Sequence, residues 1–387
     1  MATRCAGGEA KVDVIVFAGS YGSSAPERLM AGAQTAVALD LVELALACPL
    51  VGRVFVATGV ADLAEQLEGV ARVVVQRDER SKPFHFGRLL LEIVERHQIR
   101  HPLYFGAGSA PLLSPLTLYQ LCQRLLSAQR TVLANNVLSA DFFGFTPPEA
   151  LRRIDLPGDQ DNNVPFLLSR LGGLQAETLE PSMEVAFNLD TPTDLAILKL
   201  QGKAGRHARR FLDQVSLDTR RYEAAMPVLL SRRSEVTLIG RVATQIWGKV
   251  PSDLIPGQKR LYVEERGMKA SGREARGEVR SLIGQLLEAV GPERLFANLA
   301  SFSHAIFFDT RVVFHHLRLR LSAADRFASD LGDVEGIADP TARAFTAAAM
   351  TCPVPVILGG HNVVAGGLWA LTQEAWDRAD AGLLVPE

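Results

Sequence analysis

Short runs of almost unbroken apolar residues alternate with longer stretches in which apolar positions recur every three or four residues, and this alternation fills roughly the first half of the chain. Residues 12–18, Val-Asp-Val-Ile-Val-Phe-Ala, predict a buried strand that ends in the loop Gly19-Ser20-Tyr21-Gly22-Ser23-Ser24. Helical spacing follows from about Gln34 to Ala47, Pro49 stops it, and Val51 to Thr58 predicts a second strand. The rhythm continues with a helix over 62–67, a strand over 71–75, a helix over 86–97, a strand over 102–105, a helix over 115–128 and a strand over 130–137. Such regular alternation predicts an α/β fold, a doubly wound and mainly parallel sheet with helices on both faces.

After about Gly202 the texture changes. A basic segment, Arg206 to Arg210 with Arg220 and Arg221, precedes stretches of helical spacing at 277–290, 292–304, 310–321, 338–351 and 368–378. The apolar run Val354 to Leu358 enters Gly359-Gly360-His361-Asn362 as a strand enters a turn. The expected organisation is an α/β domain over 1–203 and a mostly α-helical C-terminal domain over 204–387; a chain of 387 residues is too long for one ordinary core.

Composition narrows the partners. The chain is 48% hydrophobic and 22% charged, and its 41 Lys and Arg against 43 Asp and Glu give a net charge of -2, no field for nucleic acid or an anionic membrane. Cys5, Cys48, Cys122 and Cys352 lie far apart with no C-x-x-C pair, so neither a zinc knuckle nor a disulfide framework is expected. Gly7, Gly8, Glu9 and Lys11 precede any apolar run, unlike a signal peptide, and the stretch Thr35 to Val51 is interrupted by Asp40 and Glu43. These features predict a soluble, cytoplasmic protein with no nucleic-acid or membrane partner, self-association being left open.

Three segments carry candidate chemistry. Gly19, Ser20 and Gly22 offer backbone N–H groups ahead of a helix, which hold phosphates well, although small residues also simply let a chain turn. Gly108-Ser109-Ala110-Pro111-Leu112-Leu113 follows the strand at 102–105. In Asn188-Leu189-Asp190-Thr191-Pro192-Thr193-Asp194-Leu195, Asn188 and Asp190 point the same way on a strand end, Thr191 caps and Pro192 opens a helix. A plain capped helix start is the other reading of that segment.

On these motifs residues 12 to about 200 resemble the nucleotidyltransferase branch of the glycosyltransferase-A-type fold, which includes molybdenum-cofactor guanylyltransferase-like and sugar-phosphate nucleotidyltransferase proteins. The resemblance implies Mg²⁺-dependent nucleotidyl transfer from a nucleoside triphosphate, or action on a sugar nucleotide, with a phosphorylated small molecule or cofactor precursor as partner. It implies that Gly19, Ser20, Gly22 and Arg28 face the phosphates, that Gly108 and Ser109 line the substrate, and that Asn188 and Asp190 hold the metal. Arg28 and Asp190 are the implied catalytic pair. Two departures matter: the family motif Gly-Asp-x-Pro-Leu-Leu has Ser109 in place of its metal-binding Asp, and the Lys usual after the loop Arg is missing. They leave a second reading open, a nucleotide or sugar-phosphate binding module without the transfer reaction.

A third reading places a metal-dependent enzyme in the C-terminal domain. His304, Asp309, His315 and His316 offer imidazole and carboxylate ligands suited to Zn²⁺, Mn²⁺ or Fe²⁺. His361, flanked by glycines that permit close approach, is a candidate substrate-binding residue, or caps a helix in a packed turn. Arg232, Arg233, Arg241, Arg266, Lys269, Arg273, Arg276 and Arg280 supply positive charge for a phosphorylated substrate, or a solvated helix face.

Overall fold

The computed structural model describes residues 10–19, 22–77, 84–155, 158, 161–244 and 254–385. The chain forms two compact units, each assembled from separated segments: Met1–Ser20 with Ala38–Ala107 and Leu113–Glu180, and Tyr21–Val37 with Gly108–Leu112 and Pro181–Glu387. The boundary expected at 203/204 thus falls inside the second unit, which also takes in two short segments from the first half of the chain.

The first unit holds the expected α/β sheet. Its strands are Val12–Ala18 (β1), Val51–Thr58 (β2), Val73–Arg77 (β3), Pro102–Gly106 (β4), Thr131–Ala134 (β5), Phe142–Thr146 (β6) and Gln175–Thr178 (β7), in the order β3-β2-β1-β4-β6-β5-β7. Neighbours run parallel except around β6, which is antiparallel to β4 and β5. All seven residues of β1 are buried, which is why the strand reads as a nearly continuous apolar run. On one face Ile15, Phe17, Tyr104 and Phe143 pack with Phe86, Leu90 and Ile93 of helix Phe86–Arg96. Helix Pro115–Ser127 buries Leu118, Leu121, Cys122 and Leu125; the Ser114 hydroxyl accepts the Thr117 N–H at 3.2 Å to cap it. The one charge inside β1, Asp13, is answered by Arg53 at 2.7 Å.

Helix Ala25–Ala47 begins well before the expected start at Gln34. By length and composition alone it would cross a membrane, but half of its most apolar window is buried inside the protein. The added length lies in residues 25–33, ahead of the helical spacing that the sequence shows from Gln34 through Asp40 and Glu43.

The second unit is rich in helices, as expected, but the helices enclose a parallel sheet of its own. Its strands are Glu235–Gly240 (β8), Gln258–Val263 (β9), Ala305–Asp309 (β10) and Val356–Gly359 (β11), ordered β11-β10-β8-β9 with all neighbours parallel. Val236, Leu238, Phe307 and Ile357 face helices Pro192–Gln201, Arg220–Leu230 and Gly366–Asp380, in a core that includes Met30, Ala33, Val37 and Leu112. Ile239, Ile306, Phe308 and Leu358 face the other way, onto Phe296, Phe314 and Phe345. In chain order the four strands lie 2-1-3-4 across the sheet, so the winding direction reverses between β8 and β10. Open α/β sheets bind ligands beyond the carboxyl ends of the strands at such a reversal.

Candidate functional site

The segments around Ser109 and Asn188 meet inside the second unit. Ser109 pairs with Asn188 in an isolated antiparallel bridge, and the Gly108 carbonyl accepts the Leu189 N–H at 2.8 Å. A Cβ on Gly108 would stand 2.4 Å from the Leu189 carbonyl oxygen, so the glycine is required for the approach of backbone to backbone. Ala110 follows with φ of 47°, the left-handed region, which an alanine before proline rarely adopts. Gln34 Nε2 donates to the Leu189 carbonyl at 2.9 Å and Asn362 Nδ2 to the Asn188 carbonyl at 2.8 Å. The segment, an isolated bridge and not the strand end expected from the sequence, is thus fixed from three parts of the chain.

On this frame Asn188, buried, donates through Nδ2 to Oδ1 of the exposed Asp190 at 3.1 Å. Thr191 and Asp194 form a capping box at the start of helix Pro192–Gln201. Asp194 Oδ2 accepts the N–H groups of Asp190 and Thr191 at 3.0 and 2.8 Å and the Thr191 hydroxyl at 2.9 Å. Burial, reinforced by the Asp190 charge, raises the Asp194 carboxyl well above the usual range despite those donors. Two buried oxygens, Asn188 Oδ1 and Asp194 Oδ1, have no hydrogen-bond partner among the described residues. An unpartnered amide oxygen beside an exposed carboxylate is a donor set that fits a hard cation taking its other ligands from phosphate and water. Ser109, buried next to them, adds a hydroxyl but no charge.

The turn that supplies Asn362 also carries His361. A Cβ on Gly359 or Gly360 would stand 3.1 Å from Thr193 Oγ1 or 3.0 Å from the Thr191 methyl, so the glycine pair lets the 191–193 segment lie on the end of β11. At the neighbouring strand ends, Arg241 Nε and Nη2 donate to Asp309 Oδ2 and Oδ1 at 2.6 and 3.0 Å. Gly240, at φ 111°, passes so close that a Cβ would stand 2.6 Å from Asp309 Cβ. Burial raises the fully buried Asp309 carboxyl, but the Arg241 charge and hydrogen bonds outweigh it and keep the group below its ordinary value. Burial and the Arg241 charge push the His361 imidazole down to about 4, against the pull of Asp309. The result is a neutral imidazole near a buried ion pair at the strand ends flanking the reversal. The Arg241–Asp309 pair escaped the sequence because it joins the ends of β8 and β10, neither of which had been read as a strand.

The loop expected to face phosphates offers fewer open amides than its sequence suggests. Gly19, exposed at the end of β1, has nothing within 4 Å of where a Cβ would sit, and Ser20 lies outside the described residues. A Cβ on Gly22 would stand 2.4 Å from the Glu27 carboxylate, which accepts the Ser24 N–H at 3.1 Å and the Ser24 hydroxyl at 2.6 Å. Those bonds, with one from the Gly22 backbone, hold the Glu27 carboxyl below its ordinary value. The chain's own carboxylate therefore occupies the amides of Gly22 and Ser24. Arg28 is exposed and donates to the Ser23 carbonyl.

The C-terminal histidines are dispersed. His304 Nδ1 accepts the Glu235 N–H at 3.0 Å at the amino end of β10, roughly 16 Å of strand away from Asp309. His315 pairs with Glu274 and His316 with Glu288, each at 3.2 Å. These four residues do not form one metal centre. Of the expected positive positions, Arg241, Arg273 and Arg276 are each neutralised by a carboxylate, Asp309, Glu265 and Glu278.

No family model and no curated protein matches the chain. Among solved structures, a nucleotidyl transferase from Methanothermobacter thermautotroptrophicus is 19% identical with a TM-score of 0.38, over 53% of this chain and 99% of the other. A cytidylyltransferase from Leptospira borgpetersenii is 14% identical with a TM-score of 0.39, over 53% of this chain and 93% of the other. A CMP:2-keto-3-deoxy-manno-octonic acid synthetase complexed with CTP is 12% identical with a TM-score of 0.31, over 46% and 94%.

Proposed function

We propose that the chain is a nucleotidyltransferase-like protein that binds a nucleoside triphosphate or sugar nucleotide with Mg²⁺ and acts on a phosphorylated small molecule or cofactor precursor. The observation that carries this reading is the Asn188–Asp190 pair, with its unpartnered buried oxygen, beside the Ser109 segment. Asn188 and Asp190 would hold the cation, which when bound neutralises phosphate charge. The chain's own contribution is positioning: Gly108, Gln34 and Asn362 fix the 188–189 backbone so that the donors are in place before any ligand arrives.

The test is a thermal-shift screen of nucleoside triphosphates with and without Mg²⁺, since a ligand that binds only the folded state raises its stability by mass action. Metal-dependent stabilisation by one triphosphate is expected, reduced at least tenfold in apparent affinity by Asp190→Asn. No shift in the wild type, or an undiminished shift in the variant, would sink the assignment. A second reading, binding without transfer, is favoured by Ser109 in place of a carboxylate and by Glu27 on the loop amides. It expects the same stabilisation but no pyrophosphate release with any acceptor, whereas a transferase releases pyrophosphate with one of them.

A further inference from the structure

A cavity of about 510 Å³ opens in the second unit between the segment 274–277, the helix Thr310–His316 with the turn that follows it, and helix Ala323–Leu331. Five arginines line it: Arg276, Arg311, Arg318, Arg320 and Arg326. Two are already neutralised, Arg276 by Glu278 at 2.9 Å and Arg311 by the buried Asp330 at 2.5 Å, and the wall carboxylate Glu274 is taken by His315. Arg318, Arg320 and Arg326 have no carboxylate within ion-pair distance among the described residues. Arg326 feels the carboxylates of Asp330, Glu274 and Glu27 from beyond ion-pair distance, whereas Arg318 and Arg320 are exposed at the mouth, so the guanidiniums left to meet an anion surround one small-molecule-sized space.

Two further observations point the same way. Arg326 is half-buried, where burial and the Arg311 charge weigh against its own cation and the Asp330, Glu274 and Glu27 carboxylates offset them only in part. Arg318 adopts φ of 57° at the position just past a helix end, with its N–H on the His315 carbonyl and the next N–H on the Phe314 carbonyl. Glycine is the residue such a left-handed cap favours, so a long cationic side chain is kept there against backbone preference. The lining residue nearest the sheet in sequence is Arg311, two residues past the carboxyl end of β10.

We propose that this cavity binds a small phosphate-bearing anion, a phosphate ester or diphosphate held by the lining guanidiniums that no ion pair occupies. Arginine suits phosphate because its planar fork donates two parallel hydrogen bonds to a pair of oxygens. The site uses neither Asn188 nor Asp190 and stands apart from the function proposed above.

Calorimetric titration of inorganic pyrophosphate into the full chain, at low salt and with EDTA present, tests it. Binding is expected, weakened about tenfold or more by Arg326→Gln and by Arg318→Gly, suppressed by about 0.5 M salt through screening, and unchanged by Asp190→Asn. Should Arg326→Gln fail to fold, Arg320→Gln at an exposed position gives the same reading. No binding by the wild type overturns the proposal, as does binding that survives Arg318→Gly and Arg320→Gln together. Loss in Asp190→Asn with retention in the arginine variants also overturns it, by moving the anion to the other site.

Discussion

Single positions in this protein are constrained by the backbone as much as by chemistry. Gly108 belongs to a motif whose resemblance assigns it to substrate, yet its absent side chain is explained by the Leu189 carbonyl 2.4 Å from where a Cβ would sit. Gly108→Ala is therefore expected to cost about 1–3 kcal/mol, as other overpacked interior sites do, and to lower the thermal midpoint before any ligand is added. Arg318 is the opposite case. Its left-handed backbone is costly for any residue with a Cβ, so Arg318→Gly should raise stability by about 1 kcal/mol while losing anion affinity. Stability and binding moving in opposite directions, read by thermal midpoint and calorimetry on the same sample, would separate a retained functional arginine from an accident of drift; a fall in both would refute the assignment.

At the level of elements, helix Pro192–Gln201 shows how local rules place a site. Thr191→Ala removes the hydroxyl of the capping box and should cost about 1 kcal/mol, typical of lost N-caps, as a lower thermal midpoint. Because the same box ties down Asp190 N–H, Mg²⁺-dependent ligand stabilisation should weaken as well. This helix, its cap and its proline were legible in the sequence because all of their signals are local. The strands β1, β2, β3 and β5 were legible for a related reason, being runs rich in β-branched residues bounded by turns, and β4, Pro-Leu-Tyr-Phe-Gly, as an apolar run between turns. What escaped lacked such marks: β6 is a five-residue aromatic run, β7 is polar at the sheet edge, and β10, Ala-Ile-Phe-Phe-Asp, is too short for its period to separate strand from helix. Missing β8 and β10 concealed the second sheet, and with it the pairing of Arg241 with Asp309. The motif segments around Ser109, Asn188 and Asp190 stand out by pattern; Glu27 on the loop amides does not, because the helical spacing starts at Gln34 and leaves Glu27 ahead of the expected helix.

Across the whole molecule, buried titrating groups set how stability follows pH. His361 is held near 4 in the folded protein, whereas an unfolded histidine titrates near 6.5. Between those values the unfolded chain binds more protons, so the contribution is complete above about pH 6.5 and is lost as pH falls through about 4, amounting to at most about 3 kcal/mol. His361→Gln should flatten the thermal midpoint over that window; a slope unchanged in the variant would show that another group is responsible. Asp309, whose carboxyl is lowered, adds a separate loss that begins as pH falls into the ordinary aspartate range, where the unfolded chain takes up the proton first.

The discontinuous make-up of the second unit has a consequence for biosynthesis. Residues 21–37 and 108–112 leave the ribosome early, but Ile357, Leu368 and Leu371, which share a core with Met30, Ala33 and Leu112, come hundreds of residues later. At about 5–20 residues per second the nascent chain carries that sticky surface for tens of seconds, a period in which holdase chaperones would be its natural protectors. Truncation after residue 203 makes the exposure permanent, and such a fragment should pellet on centrifugation while the complete chain stays in the supernatant.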